Sequence, residues 1–134
     1  MEQRFPASKT EAMTAVGLLC RIFLGQKPEK NPVLYTAADT MLKKPPVWNT
    51  ADGSIDIYYW YYGSYAMFQM GGPRWDKWRR ALEDALIKTQ RKDGHRRGSW
   101  DPVDPWSNEG GRVYSTALGV LSLEAYYRYS PLLR

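Results

Sequence analysis

A short segment of the chain occurs twice, and this internal repeat constrains its possible folds more than any other feature. Thr14-Ala15-Val16-Gly17-Leu18-Leu19 is matched by Thr116-Ala117-Leu118-Gly119-Val120-Leu121, with four of the six positions identical. The two segments lie 102 residues apart, and half of that offset, 51 residues, leads from Ala15 to Ala66. Such a period predicts helical hairpins that stack on one another, because a single hairpin cannot bury its own apolar face.

Apolar periodicity and the residues that start or stop helices predict five helices. Ser8 and Glu11 match a capping box, while Pro45-Pro46 and Gly71-Gly72 are typical stops. The third helix is rich in tyrosine, which also favours strands, but its apolar residues do not alternate as strand residues do. The predicted helices span residues 8–24, 31–44, 54–70, 73–92 and 111–129.

The buried face of each helix is predicted from apolar residues three and four positions apart. In the fourth helix this face comprises Trp75, Trp78, Leu82, Ala85, Leu86 and Thr89. In the first helix it comprises Ala12, Val16, Leu19 and Phe23, with Met13, Cys20 and Leu24 alongside. In the fifth helix it comprises Val113, Ala117, Val120, Leu121 and Tyr127.

The loops before the third and fifth helices also match each other. Trp48 and Asp52 precede the third helix, and Trp100 and Asp104 precede the fifth, in the same Trp-x-x-x-Asp pattern. The first, third and fifth helices therefore form one equivalent set, and the second and fourth form another. We expect an all-α fold of helical-hairpin repeats, built as one domain over residues 1–134.

The connection between the fourth and fifth helices holds a glutamine, two glycines and a tryptophan, namely Gln90, Gly94, Gly98 and Trp100. This segment resembles the Gln…Gly…Trp repeat signature of squalene-hopene cyclases and their relatives. Residues 113–123 resemble the helix that follows the signature in those proteins. A looser form of the pattern occurs in protein prenyltransferase β subunits and in the thioester-containing domain of complement proteins.

The resemblance implies an α/α-toroid, in which Gln90 ties the end of an outer helix and Trp100 stacks across the turn. Residues 95–97 widen the usual spacing between the glycine and the tryptophan. Toroids of this family close with more helices than the five predicted here. The chain is therefore expected to be part of a larger toroid, or to complete itself by self-association through uncapped repeat ends.

Four tyrosines of the third helix, Tyr58, Tyr61, Tyr62 and Tyr65, are the candidate ligand-binding residues. In terpene cyclases, inner helices present aromatic faces that stabilise carbocations by cation–π interaction. The resemblance therefore implies that these tyrosines line a concave, partly apolar surface. The alternative is that they pack as hairpin core and interface, which is the commoner role of aromatic side chains.

Several catalytic schemes lack the residues that they need. The Asp-x-Asp-Asp motif, with which class II terpene cyclases protonate a double bond, does not occur. Asp52 and Asp104 are better explained as loop caps or as charges at helix N-termini. The single cysteine, Cys20, is interpreted as a small buried thiol, and with the single histidine, His95, it does not suggest a zinc site. Oxygen ligands for calcium occur without a recognised spacing at Asp93, Asp101, Asp104 and Glu109.

The charge of the chain gives little indication of a partner. A net charge of +5 is too small to imply an anionic partner, although Lys92, Arg96 and Arg97 form a basic loop near Trp100 and Trp106. A solvated loop explains these residues more simply than a nucleic-acid surface, so we expect no nucleic acid. No apolar run is long enough to span a bilayer.

Three functions remain open from the sequence. The first is a noncatalytic terpenoid-cyclase/prenyltransferase-like helical repeat module for binding or protein interaction, with no metal and no cofactor. The second is a segment of an isoprenoid-handling enzyme whose catalytic residues lie elsewhere. The third, a basic nucleic-acid binder, predicts binding that collapses with added salt.

Overall fold

A computed structural model describes residues 10–128, which form five α-helices and no strand. This confirms the predicted all-α class. No helix in this part of the chain is long and apolar enough to cross a membrane. The helices are α1 (Glu11–Phe23), α2 (Val33–Met41), α3 (Ile57–Met70), α4 (Gly72–Ile87) and α5 (Ser107–Arg128), with a short 3-10 helix at Gly94–Arg96.

Some helix ends differ from the sequence prediction, because a side chain caps the helix or a glycine breaks it. α3 begins at Ile57 because Asp56 caps it, its carboxylate accepting a hydrogen bond from the Tyr59 amide at 2.8 Å. α5 begins before Gly111 and breaks at that residue, whose positive φ of 59° favours glycine. The predicted cap Ser8 lies outside the described residues.

Three helices lie side by side in one layer, with α3 between α1 and α5. We call α1, α3 and α5 the central row. Their N-termini share one end, because Lys44, just after α2, pairs with Glu11, and the Tyr59 hydroxyl donates to the Lys44 carbonyl at 3.1 Å. At the same end, the Ile57 amide donates to the Asp104 carboxylate at 3.3 Å. α2 packs mainly on α1, and α4 mainly on α3.

The core centres on a close contact between α3 and α4. Trp78 is fully buried, and its indole N–H donates to the Ser64 hydroxyl at 3.0 Å. Gly63 lies against the same ring, and a Cβ there would lie 2.4 Å from a Trp78 ring atom. Glycine is therefore required at this position by the close approach of the two helices.

The predicted buried face is confirmed for α4 and wrong for much of α1 and α5. Trp75, Trp78, Leu82, Ala85 and Leu86 are all buried in α4, whereas Thr89, the sixth residue of the predicted face, is half-buried and lies after the end of the helix. In α1, Met13 is 62% exposed and Leu24 is 79% exposed, while the buried residues are Ala12, Ala15, Leu18, Leu19 and Ile22.

In α5, Val113 is 82% exposed and Tyr127 is 86% exposed. The residues buried in this helix are small, namely Ser107, Ser115, Gly119, Ser122 and Ala125. Small side chains let α5 approach its neighbours closely. Leu118 and Leu123 are partly buried against the core, whereas Val113 and Tyr127 lie outside it.

We expect Gly63→Ala to destabilise the protein by about 1–3 kcal/mol, because the added methyl group overpacks the Trp78 ring. Gly17→Ala is the matched control, since no atom lies within 4 Å of a Cβ at that helical position. The control should gain up to about 1 kcal/mol from helix propensity. Urea unfolding measures both changes, and equal effects of the two substitutions would contradict the close contact.

Candidate functional site

The four candidate tyrosines of α3 form a continuous row of touching rings. Tyr58, Tyr61, Tyr62 and Tyr65 lie at helical spacing and share one face of α3. Ring centroids lie 4.8 Å apart for Tyr58 and Tyr62, 5.0 Å for Tyr61 and Tyr62, and 4.9 Å for Tyr61 and Tyr65. Tyr65 is buried and the other three are half-buried. We call this set the tyrosine row.

Two carboxylates, the half-buried Asp56 and the buried Asp104, lie near one end of the tyrosine row. There the Tyr58 ring lies 5.8 Å from the Trp106 ring. Burial raises the pKa of Asp56 and the pKa of Asp104 above the usual range of aspartate. Burial and then the negative charges of these two carboxylates raise the pKa of Tyr114. Raised carboxyl pKa values next to aromatic rings are one mark of an acid–base site.

Both carboxylates, however, are engaged in structural hydrogen bonds. Asp56 accepts from the Tyr59 amide, and Asp104 accepts from the Ile57 amide and from the Ser107 hydroxyl. Two negative charges thus lie at the N-terminus of α3, where the helix dipole favours them. Their geometry is that of caps that join the starts of α3 and α5.

Two surface grooves lie beside the central row, and neither is lined by the tyrosine row. One groove, of about 390 Å³, lies between α4 and α5 and is lined by residues that include Phe68, Trp75, Leu123 and Tyr126. The other, of about 480 Å³, lies at the N-terminus of α3 and is lined by residues that include Glu11, Lys44, Asp56 and Trp60.

The glutamine and tryptophan of the repeat signature hold the connection between α4 and α5. The Gln90 side chain donates to the Gly98 carbonyl at 2.9 Å, and Gly94 and Gly98 both have a positive φ. The buried Trp100 indole N–H donates to the Leu86 carbonyl at 2.8 Å, near the end of α4. A Cβ on Gly119 would lie 3.0 Å from the Trp100 ring, so α5 lies directly on this ring. These residues act in the connection of two helices.

The two Trp-x-x-x-Asp segments differ in their surroundings. Trp48 is half-buried, with its ring centroid 6.0 Å from that of Trp60. Asp52 is exposed and caps its own loop, accepting from the Ser54 amide at 2.9 Å. Asp104 is buried and caps α3. The sequence match therefore does not give these aspartates the same role.

The basic loop and its neighbouring acids show no arrangement for a metal. Arg91 and Arg112 both pair with Asp101, at 2.5 Å and 2.6 Å, and the hydrogen bond from Arg91 is the main cause of a lowered Asp101 pKa. Lys92 and Arg96 are exposed. Among residues 10–128, no group of three or more His, Cys, Asp or Glu side chains could hold a metal ion.

The two outer helices of the central row each leave one apolar face uncovered by the described residues. The open face of α1 comprises Met13, Gly17, Cys20 and Leu24, which are all exposed. The open face of α5 comprises Val113, Ala117, Val120 and Tyr127, which are also exposed. Periodicity could not distinguish these faces from buried ones, because both sides of each helix carry apolar or small residues.

Comparison with protein-family models, with curated proteins and with solved structures finds no match to this chain. Its function is therefore inferred from its own residues and their geometry.

Replacing Asp104 should change how stability depends on pH. A raised carboxyl pKa means that the folded state binds the proton more tightly than the unfolded state does. The contribution of this group to the free energy of unfolding therefore decreases as pH rises from about 3.9 through the folded pKa. We expect Asp104→Asn to gain stability relative to the native protein across that range, as measured by urea unfolding at several pH values. The lowered pKa of Asp52 gives Asp52→Asn the opposite trend, and parallel curves for both variants would contradict the raised Asp104 pKa.

Cys20 should react with a water-soluble thiol reagent in the folded, dilute protein. The prediction that this thiol is buried is wrong, because the structure places it on the open face of α1. We expect a rate within about tenfold of that for a free thiol of ordinary pKa near 8.5. Ala15→Cys in a Cys20→Ser background is the protected control, since Ala15 is fully buried. Labelling of Cys20 only in denaturant would show that its face is covered.

Proposed function

We propose that this chain is a noncatalytic helical repeat module that binds protein partners through the open faces of α1 and α5. The observation that carries this proposal is the unequal covering of the central row. α3 is covered on both sides by neighbours, whereas α1 and α5 each have a described neighbour in the row on one side only. Contiguous exposed apolar surface on a folded protein marks an interaction site.

The order of the helices supports a repeat module of the terpenoid-cyclase/prenyltransferase type. Hairpin repeats stack so that each unit covers the apolar face of the unit before it. A row of three parallel helices with α2 and α4 outside is the arrangement that such stacking produces. Under this proposal the open faces are the two ends of a short stack, where a further unit would be added.

The state of the two acids supports a noncatalytic role. Asp56 and Asp104 direct carboxylate oxygens at backbone amides of α3 and at Ser107. A general acid must be positioned on the group that it protonates. Here the hydrogen bonds of the two carboxylates stabilise the ends of helices instead.

The alternative function is a segment of an isoprenoid-handling enzyme whose catalytic residues lie elsewhere. The tyrosine row favours it, because aligned aromatic rings stabilise a cation by about 0.5–2 kcal/mol for each ring. In the described structure these rings contact one another and Trp106, and they belong to the buried core or pack against it. We therefore rank binding of a protein partner above binding of an isoprenoid.

A polarity-sensitive apolar dye tests the interaction module. We expect the dilute native protein to enhance dye fluorescence, and Gly17→Arg or Ala117→Arg each to remove roughly half of the enhancement, because each charge interrupts one apolar patch. Ile87→Arg is the matched control, since Ile87 is exposed but lies on α4. Loss of signal in the control alone would place the apolar surface elsewhere.

The same protein should neither bind nor convert an oligoprenyl diphosphate or squalene. Quenching of tyrosine and tryptophan fluorescence measures binding, and product analysis measures turnover. Saturable binding that is lost in Tyr61→Ala, or any turnover, would favour the isoprenoid-handling alternative.

A further inference from the structure

We propose that the partner of these faces is a second copy of the chain, with the open face of α5 in one copy docked on the open face of α1 in the next. This proposal rests on the proposed function and names its partner. The docked α1 would take the place beside α5 that α3 takes beside α1 within one chain.

The internal repeat gives the first step, because residues 113–125 of α5 have equivalents in α1 at an offset of 102. Ala117 and Val120 of the open face of α5 correspond to Ala15 and Leu18. In α1 these two equivalents are buried in the face that packs against α3 and α2. The open face of α5 is thus the repeat of a face that already packs against a helix of the row.

The reverse relation holds for the open face of α1. Met13 and Cys20 correspond to Ser115 and Ser122, which are buried in the face by which α5 joins the row. The open face of α1 is therefore the repeat of the face with which α5 meets α3. Each open face matches one side of a helix pair that the chain already contains.

The shape and charge of the two faces are compatible with this docking. Gly17 leaves open space on the open face of α1, with no atom within 4 Å of a Cβ at that position. Glu124 of α5 is half-buried and corresponds to Ile22 of α1. Arg21, the residue before Ile22 and one turn after Gly17, is exposed. Arg21 donates to Gln26 at 3.1 Å, and Glu124 also has a partner within its own chain. Docking would exchange these contacts for a pair between the carboxylate on one face and the guanidinium at the edge of the other, and such complementarity fixes register.

The docking joins two different surfaces, so a docked pair still offers one free face of each kind. A contact of this type is heterologous, and it continues until a ring closes or an open chain grows. We therefore expect association to increase with concentration and not to stop at an isologous dimer.

Light scattering on the native chain and on two blocked variants tests the proposal. The native protein should exceed its monomer mass of 15.5 kDa as its concentration rises. Gly17→Arg blocks the face of α1 and Ala117→Arg blocks the face of α5, so each variant alone should remain monomeric. An equimolar mixture should form a dimer, since one intact pair of faces is restored. Ile87→Arg should associate like the native chain.

A second measurement follows the charged pair and the covered thiol. Glu124→Arg should weaken association of the native chain by at least about tenfold, and adding Arg21→Glu should restore it. Labelling of Cys20 should slow as association proceeds. Circular dichroism and urea midpoints show whether the variants remain folded.

Three outcomes would overturn the proposal. If the native chain stays monomeric up to millimolar concentration, a second copy of the chain is not its partner. If only one blocked variant loses association, the contact is isologous through that face. If both variants stay monomeric but do not combine, the faces do not dock on each other. If the protein stays monomeric but the dye binds at the open faces, the chain is still an interaction module, with a different protein as its partner. If neither association nor dye binding at these faces is observed, both proposals are rejected.

Discussion

Close packing around Gly63 determines how the rest of the molecule is arranged. The Trp78 ring occupies the space beside this glycine and is held by a hydrogen bond to Ser64. A large flat ring against bare backbone brings α4 onto α3 more closely than two ordinary side chains would allow. With α4 on this side, α3 presents its remaining sides to α1, to α5 and to the surface that carries the tyrosines.

The N-terminal end of the central row is held by charge and hydrogen bonding in addition to the apolar contacts of buried residues such as Ile55 and Ile57. Asp104 comes from the loop before α5 and accepts a hydrogen bond from the first residue of α3. Trp100, in the same loop, anchors the end of α4 and supports α5 at Gly119. One loop therefore links three helices through Trp100 and Asp104.

The sequence predicted the buried side of α4 better than the buried sides of α1 and α5. α4 has one strongly apolar side and one charged side, so periodicity predicted its buried residues correctly. α1 and α5 carry apolar or small residues on both sides, so periodicity did not indicate which side is buried. Ser115 and Ser122 are buried because they permit close approach, a property that hydrophobicity does not measure. Cys20 was misplaced in the same way, since its helix has apolar residues on both sides.

The sequence by itself determined the helical class, the stops at proline and glycine, the buried side of α4, and the spacing that aligns four tyrosines on α3. These features depend on residues that are near one another in the chain, where local geometry decides the outcome. Only the tertiary structure decided which side of α1 and α5 is covered, that Asp104 caps α3 while Asp52 caps its own loop, and that Trp100 lies under α5. Those outcomes depend on which helix occupies the neighbouring position, because burial of a side chain is a property of the pair and not of either helix alone.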